Sequence, residues 1–185
     1  MSTRFVFVPL AVCCCLVALT ITASPSRGKT VLQTVAKARR DYARIERDAK
    51  HFTRIQTDLS GYSTEGGTLV AYFQDGAARK LVAQYYGETG RATEEYYFAG
   101  GRLFFVLRTE LRYDKPLNVA VEDKSEVGKV VKQTRNRYYF AEGKLVRWVD
   151  ESGKNRPAGK EFTAQERETL AQARRLLAKA DALLD

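Results

Sequence analysis

The stretches EYYFAGGRLFFVL at 95–107 and RYYFAEGKLVRWV at 137–149 are close copies of each other. Each contains two tyrosines and a phenylalanine, then a glycine, then a basic residue followed by leucine. Runs of Tyr, Phe, Val and Leu on both sides of a short glycine turn are typical of a β-hairpin. The sequence therefore predicts two hairpins of similar design in one antiparallel sheet.

Further apolar runs, separated by turns that contain glycine, precede and connect these copies. The predicted strands cover residues 68–73, 79–86, 92–98, 102–112, 127–140 and 144–149. Because short turns join antiparallel neighbours, the pattern predicts a meander of about six strands over 68–150.

Two helices are predicted outside the sheet. Apolar residues from Val31 to Phe52 recur at alternating intervals of four and three, which predicts a helix over 30–53. The segment 163–166, TAQE, has the form of a capping box and predicts a second helix over 164–184. The stripe on the first helix suits packing on a sheet better than a coiled-coil seam. The predicted fold class is α+β, an antiparallel β-meander of about six strands flanked by N- and C-terminal α-helices.

The N-terminal segment 1–23 has the order of a secretory signal: Arg4, an apolar run, and small residues around Ala23. We expect cleavage after Ala23, which leaves 24–185 as a single exported domain, periplasmic or secreted. The alternative is an uncleaved membrane anchor. The three cysteines at 13–15 lie inside the apolar run, where they act as small apolar residues. The remaining domain then has no cysteine.

The longest irregular connection is 113–126, which contains Pro116 and a cluster of acidic residues. We expect it to be the most mobile loop of the domain. A second loop, 60–67, is rich in Gly, Ser and Thr and joins the first helix to the sheet.

The register of the second hairpin decides which of its side chains share a face. A two-residue turn at 142–143 pairs Tyr138 with Arg147 and Arg137 with Trp148, two favourable cation–aromatic pairs. A three-residue loop would instead place Arg137 opposite Arg147, and like charges directly opposite are unfavourable. The sequence therefore favours the two-residue register.

The last hairpin is the best candidate for a binding surface. In the favoured register Arg135, Arg137, Tyr139 and Trp148 share one face, and Arg147 stands where the first copy has a phenylalanine. Aromatic rings beside arginines suit stacking on a sugar or base while the charge holds an anion. The alternative is that the rings form strands and the arginines only cover them.

Catalytic residues are not predicted. His51 is the single histidine, and without a cysteine in the domain neither a Cys–His pair nor the usual zinc ligand set can form. Glu94 and Glu95 are adjacent on a strand, so they point to opposite faces and cannot share a site. The glycines lie at hairpin turns rather than in a phosphate-binding loop. The sequence therefore implies no enzyme activity, no metal and no cofactor.

Three turn segments carry a family resemblance. YFQDG at 72–76, YYFAGGRL at 96–103 and YYFAEGKL at 138–145 resemble the hairpin repeats of the MORN-like class. The whole chain looks like the uncharacterised exported proteins of bacteria that carry such hairpins. The resemblance implies an envelope location and an interaction role, and it supplies no active residues.

The charge of the chain bears on its partners. The formal net charge is +9, or +8 once Arg4 is removed, and it favours anionic partners or simply solubility. The first expected function is a non-catalytic binding module for an anionic envelope glycan or protein. The second is a structural or oligomerising component of an envelope complex that acts through the first helix. Nucleic acid is not an expected partner, membrane contact is expected only through an uncleaved signal, and the oligomeric state is left open.

Overall fold

The computed structural model describes residues 27–116 and 128–184, and it confirms the α+β fold class. Seven strands form one antiparallel sheet in the order of the sequence, with one helix on each face. The elements are α1 (Arg27–Asp48), a 3₁₀ turn (Ala49–His51), β1 (Thr53–Asp58), β2 (Gly67–Gln74), β3 (Ala77–Gly87), β4 (Gly90–Ala99), β5 (Arg102–Tyr113), β6 (Val130–Ala141), β7 (Lys144–Val149) and α2 (Lys160–Asp181).

Two of the segments discussed above lie wholly or mostly outside the described residues. The signal segment 1–23 with its three cysteines lies outside the described residues, as does most of the connection 113–126. Within the described part of the chain, neither helix is long and apolar enough to cross a membrane.

Strand β1 was not predicted. The first helix was expected to reach residue 53, but it ends at Asp48 and one 3₁₀ turn leads directly into β1. Phe52 continued the helical spacing, yet it packs on the α1-side core from outside the helix. The sequence of β1, TRIQTD, has one large apolar residue, Ile55, so it lacks the alternation by which strands are recognised. The sheet therefore has seven strands rather than six.

The sheet is buried on both faces, and adjacent tyrosines serve the two faces in turn. Tyr96 and Tyr138 lie in the core beneath α2, where they are clustered with Leu176 of that helix. Tyr97 and Tyr139 lie in the core beneath α1. Each of the four rings is at most 4 % exposed, and such burial contributes about 1.5–3 kcal/mol per large side chain. The repeated Tyr-Tyr pair therefore supplies one ring to each side of the sheet.

Three hairpins share one turn geometry. The turns 75–76, 100–101 and 142–143 each contain two residues with positive φ, the arrangement of a type I′ turn. Glycine occupies the second position each time, and Asp75 and Glu142 accept positive φ at the first. These are the three segments that resemble MORN-like repeats, and in the structure each is the tip of a β-hairpin.

Each of these hairpins also has a β-bulge close to its turn. The register shifts after Tyr72, Tyr97 and Tyr139, so that Arg79, Phe104 and Val146 are each left without a partner across the ladder. A bulge inserts one residue into one strand and displaces all later pairs by one. The register of the last hairpin must therefore be corrected.

The two-residue turn of that hairpin is present, because Ala141 pairs with Lys144. Beyond the bulge, however, Tyr138 pairs with Trp148 and Tyr139 with Arg147. The predicted pairs of Tyr138 with Arg147 and of Arg137 with Trp148 are wrong, and so is the pairing expected for a three-residue loop.

The start of α2 also differs from the prediction. The helix begins at Lys160 after Gly159, and the Thr163 hydroxyl donates to the Gly159 carbonyl within the first turn. Glu166 does not reach back to cap the helix. Its carboxylate accepts a hydrogen bond from the Leu145 backbone N–H at 2.6 Å and thereby fastens α2 to β7.

A partly buried ion cluster fastens α1 to the sheet. The Lys80 ammonium lies 2.7 Å from a Glu46 carboxylate oxygen and 3.6 Å from a Glu95 oxygen. The Tyr97 hydroxyl lies 2.9 Å from the same Glu46 oxygen and also hydrogen-bonds to Glu95. Lys80 is 9 % exposed, so its charge depends on these two carboxylates.

We predict that Lys80→Ala lowers the free energy of unfolding by about 2 kcal/mol, because two neighbouring carboxylates lose their shared cation. Lys37→Ala is the matched control: Lys37 pairs with Asp41 on the exposed side of α1, and its loss should cost less than about 0.5 kcal/mol. Urea unfolding of both variants checks this. Equal losses would show that the Lys80 cluster does not stabilise the docking of α1.

Alkaline pH tests how well the two cores shield their tyrosine hydroxyls from water. Burial raises the pKa of five tyrosine hydroxyls: Tyr42, Tyr85, Tyr96, Tyr97 and Tyr138. The pKa of Tyr138 rises to about 12. In the unfolded chain these groups titrate near 10. Their stabilising contribution is therefore complete below about pH 10 and is lost as pH rises towards the folded-state values, by at most about 1.4 kcal/mol per pH unit for each of the well-buried Tyr96, Tyr97 and Tyr138, and by less for Tyr42 and Tyr85, which solvent screens.

The measurement is the free energy of unfolding at about pH 8 and about pH 11, with tyrosinate absorbance followed in the folded and the guanidinium-unfolded protein. Fewer of the ten tyrosines should ionise near pH 10 in the folded protein. If all ten ionised together there, the buried hydroxyls would not be shielded from water.

Candidate functional site

A groove of about 560 Å³ lies on the α1 face of the sheet, between α1 and the ends of β6 and β7. We call it the arginine groove. Its lining residues are Ala38, Arg39, Tyr42, Phe105, Leu107, Arg135, Arg137, Tyr139, Arg147, Val149 and Gly153. The groove exists because α1 packs on β5 and β6 near the bulged end of the hairpin, which leaves the earlier part of β6 uncovered.

Four arginines surround the groove, and none of them pairs with a carboxylate within 4.0 Å among the described residues. They are Arg39 from α1, Arg135 and Arg137 from β6, and Arg147 from β7. Some arginines elsewhere in the described residues are paired, as Arg44 is with Asp41 and Arg108 with Glu94; the groove differs because four unpaired arginines share one depression. The groove therefore concentrates positive charge that the protein does not neutralise locally.

The positions of three of these arginines follow from the strand register. Arg135 and Arg137 are two residues apart on one face, which places their backbones about 7 Å from each other. Arg147 stands beside Tyr139 on the neighbouring strand, and its Nε donates to Asn155 Oδ1 at 2.7 Å. That bond orients Arg147 without neutralising its charge.

The aromatic residues of the groove differ in their exposure. Tyr139 and Phe105 are 4 % and 7 % exposed and form a floor, with ring centroids 5.0 Å apart. Tyr42 is half-buried and meets Phe105 edge-on, at 5.6 Å between centroids. Tyr42 is therefore the ring whose surface is most available to a ligand.

The groove continues along β6 as a shallower depression of about 440 Å³. This extension shares Arg135, Arg137 and Gly153 with the groove and adds Gln133, Glu151 and Ser152. Its one carboxylate, Glu151, lies 3.8 Å from Lys132. The basic surface therefore runs from Tyr139 towards the part of β6 that extends beyond its pairing with β7.

Trp148 does not belong to this surface. It lies on the α2 face, is 8 % exposed, and packs on Tyr138 with 5.6 Å between ring centroids. Its indole N–H donates to Asn136 Oδ1 at 3.1 Å, and the Arg156 guanidinium lies 5.3 Å from its ring. The expectation that Trp148 shares a face with Arg137 is wrong, because the bulge at Val146 rotates Trp148 to the other side.

The structure thus brings together Arg135, Arg137, Tyr139 and Arg147 of the five predicted residues. The predicted site residues did not include Arg39 and Tyr42, which reach the groove from α1. Tyr42 belonged to the apolar stripe of the helix, and Arg39 directly follows Ala38 of that stripe. The position of Arg39 at the border of the sheet-facing stripe was the one sequence signal that could have placed it near the sheet.

Residues considered for catalysis are dispersed. Glu94 lies on the α2 face beside Arg108, at 3.2 Å, whereas Glu95 lies on the α1 face beside Lys80. His51 is exposed in the 3₁₀ turn. Across residues 27–116 and 128–184, no three His, Cys, Asp or Glu side chains form a group that could hold a metal ion.

Comparisons with known proteins add no family to this description. No protein-family model matches the chain, and neither a curated protein nor a solved structure matches it. The resemblance to MORN-like hairpins of exported bacterial proteins therefore stays a prediction that rests on the three turn segments.

Proposed function

We propose that this protein is a non-catalytic binding module for an anionic glycan, and that the arginine groove is its binding site. The observation that supports this most is the convergence of four arginines without carboxylate partners on one groove. Like charges held close together are unfavourable in the free protein, and an anionic ligand would relieve that repulsion. The proposed location is the periplasm or the exterior, as the segment 1–23 predicts.

Size and composition favour a glycan over a single small anion. A volume of about 560 Å³ falls in the usual range of small-molecule sites, and the extension along β6 lengthens it. Arg135 and Arg137, whose backbones lie about 7 Å apart on one face, suit carboxylate, sulfate or phosphate groups on successive sugar rings. The exposed surface of Tyr42 would accept the apolar face of one ring. An acidic protein segment is the other partner that this charge would attract.

The structural alternative, oligomerisation through the first helix, has less support. The apolar stripe of α1 is committed to the sheet, since Val35, Ala38 and Ile45 are each 4 % exposed. The large apolar residue that α1 exposes is Leu32, at 66 %. One leucine beside a basic helix face offers little apolar area to a partner.

We predict that Arg137→Gln and Arg39→Gln each weaken binding of size-defined anionic oligosaccharides about tenfold, because each removes a charged hydrogen-bond donor. The probes are oligogalacturonate, which carries carboxylates, and heparin-derived oligosaccharides, which carry sulfates. Calorimetry at low and at physiological salt measures the affinity, which should fall with salt.

The matched control for Arg39→Gln is Arg40→Gln, which makes the same charge change one residue further along α1 and outside the groove. It should alter the affinity less than twofold. Equal losses in the two variants would mean that net charge alone attracts the probe. If neither probe bound at low salt, the proposal would be contradicted.

Trp148→Phe tests which face of the sheet binds. We expect it to lower the free energy of unfolding by about 1–3 kcal/mol, because it shrinks a buried side chain and removes the indole bond to Asn136. The affinity for the same anionic probes should not change, since Trp148 lies across the sheet from the groove. A tenfold loss of affinity in the folded variant would contradict the assignment of the site to the α1 face.

A further inference from the structure

A second cavity, of about 580 Å³, lies on the opposite face of the sheet beside α2. We call it the tyrosine cavity. Helix α2 contacts β7 at one side and β2 and β3 at the other, and the cavity opens over the strands between them. Four tyrosines line it: Tyr62, Tyr85, Tyr96 and Tyr138.

The charges that line the tyrosine cavity are balanced. Glu94 and Glu168 contribute two negative charges, and Arg108 and Arg175 contribute two positive charges. Glu94 is held by the Arg108 guanidinium at 3.2 Å and by the Tyr96 hydroxyl. This differs from the arginine groove, where positive charge alone accumulates. The balance favours an uncharged ligand over an anion or a cation.

One hydroxyl that faces the cavity has no partner in the described part of the protein. Tyr138 is 3 % exposed, its ring packs on Trp148, and it lines the cavity. Within the described part of the chain, its hydroxyl makes no hydrogen bond, whereas that of Tyr96 donates to Glu94 and that of Tyr85 accepts from Gln172. This hydroxyl is therefore available at the cavity surface to donate to or accept from a ligand hydroxyl.

The remaining lining supplies amide groups and one exposed ring. Gln172 Nε2 donates to the Tyr85 hydroxyl at 2.7 Å, and Gln165 Nε2 donates to Thr169 Oγ1 at 3.0 Å. Each glutamine also carries an amide oxygen that can accept a hydrogen bond. Tyr62 is 40 % exposed at the rim, where its ring can cover a ligand. Closely spaced donors and acceptors beside an aromatic face match a ring that carries several hydroxyl groups.

We propose that the tyrosine cavity is a second binding site, independent of the arginine groove, and that it takes an uncharged sugar. A lipid tail would require a mainly apolar lining, which the glutamines, glutamates and arginines do not provide. The hydroxyl of Tyr138 donates to or accepts from a sugar hydroxyl at the base of the cavity, and Tyr62 lies over the ring.

The experiment is an NMR titration of the isotopically labelled protein with three uncharged probes: glucose, maltose and the disaccharide of N-acetylglucosamine. At up to about 50 mM, at least one probe should shift the amide signals around Tyr62, Gln165 and Gln172 and leave those around Arg135 and Arg137 unchanged. Tyr138→Phe removes only the hydroxyl and should weaken that binding at least threefold.

Tyr86→Phe is the matched control: it removes a hydroxyl that bonds to Gln84 and lies outside the cavity. It should bind like the unaltered protein. Thermal unfolding checks that the Tyr138→Phe variant is folded. If that variant does not fold, Gln172→Ala, which removes an amide from the cavity wall, takes its place in the test. If none of the probes shifts the cavity signals, or if the cavity variants bind as tightly as the control, the proposal is overturned. These outcomes are independent of anion binding in the groove.

Discussion

The period of two along a β-strand is the constraint on which the rest of the structure depends. Adjacent residues point to opposite faces, so the doublets Tyr96-Tyr97 and Tyr138-Tyr139 supply large rings to both sides of the sheet at once. A sheet with apolar residues on both faces must be covered twice. The helices at the two ends of the domain provide these covers, and each is fastened by a polar contact: the Lys80 cluster for α1 and the Glu166 carboxylate for α2. The two cavities lie where these covers end.

The sequence predicted those features that depend on residue type. Glycine turns, strand-forming aromatic residues and the apolar stripe of a helix can each be recognised in the sequence, and together they predicted the α+β meander. Features that depend on residue count were not visible. The bulges at Arg79, Phe104 and Val146 leave no mark of composition, yet the last one changes every pair between Val146 and the end of β7. Strand β1 was missed because its exposed edge position needs only one apolar residue, Ile55.

The candidate sites follow the same division. Arg135, Arg137 and Tyr139 were predicted together because they alternate on one strand, and that relation is local. Arg147 joined them through the bulge rather than through the register expected of it. Arg39 and Tyr42 arrive from α1, and the walls of the tyrosine cavity arrive from α2. These depend on the direction in which each helix crosses the sheet, which the periodicity of a single helix cannot indicate.

The bulge at Val146 has a consequence for how such a surface can change. In a regular ladder that paired Val146 with Tyr139, Arg147 would pair with Tyr138 and Trp148 with Arg137, so the indole would move to the basic face and the guanidinium to the α2 core. The composition of the groove is therefore set by the register of the β6–β7 ladder as much as by the side chains of the two strands. Deletion of Val146 would close the bulge and leave Arg147 opposite Tyr139. A change that closed the bulge while the strand kept its length would exchange a charge for an aromatic ring on the same surface, although no arginine or tryptophan had been substituted. The same turn and the same bulge recur in three hairpins, so the faces of three strands in one sheet depend on register in this way.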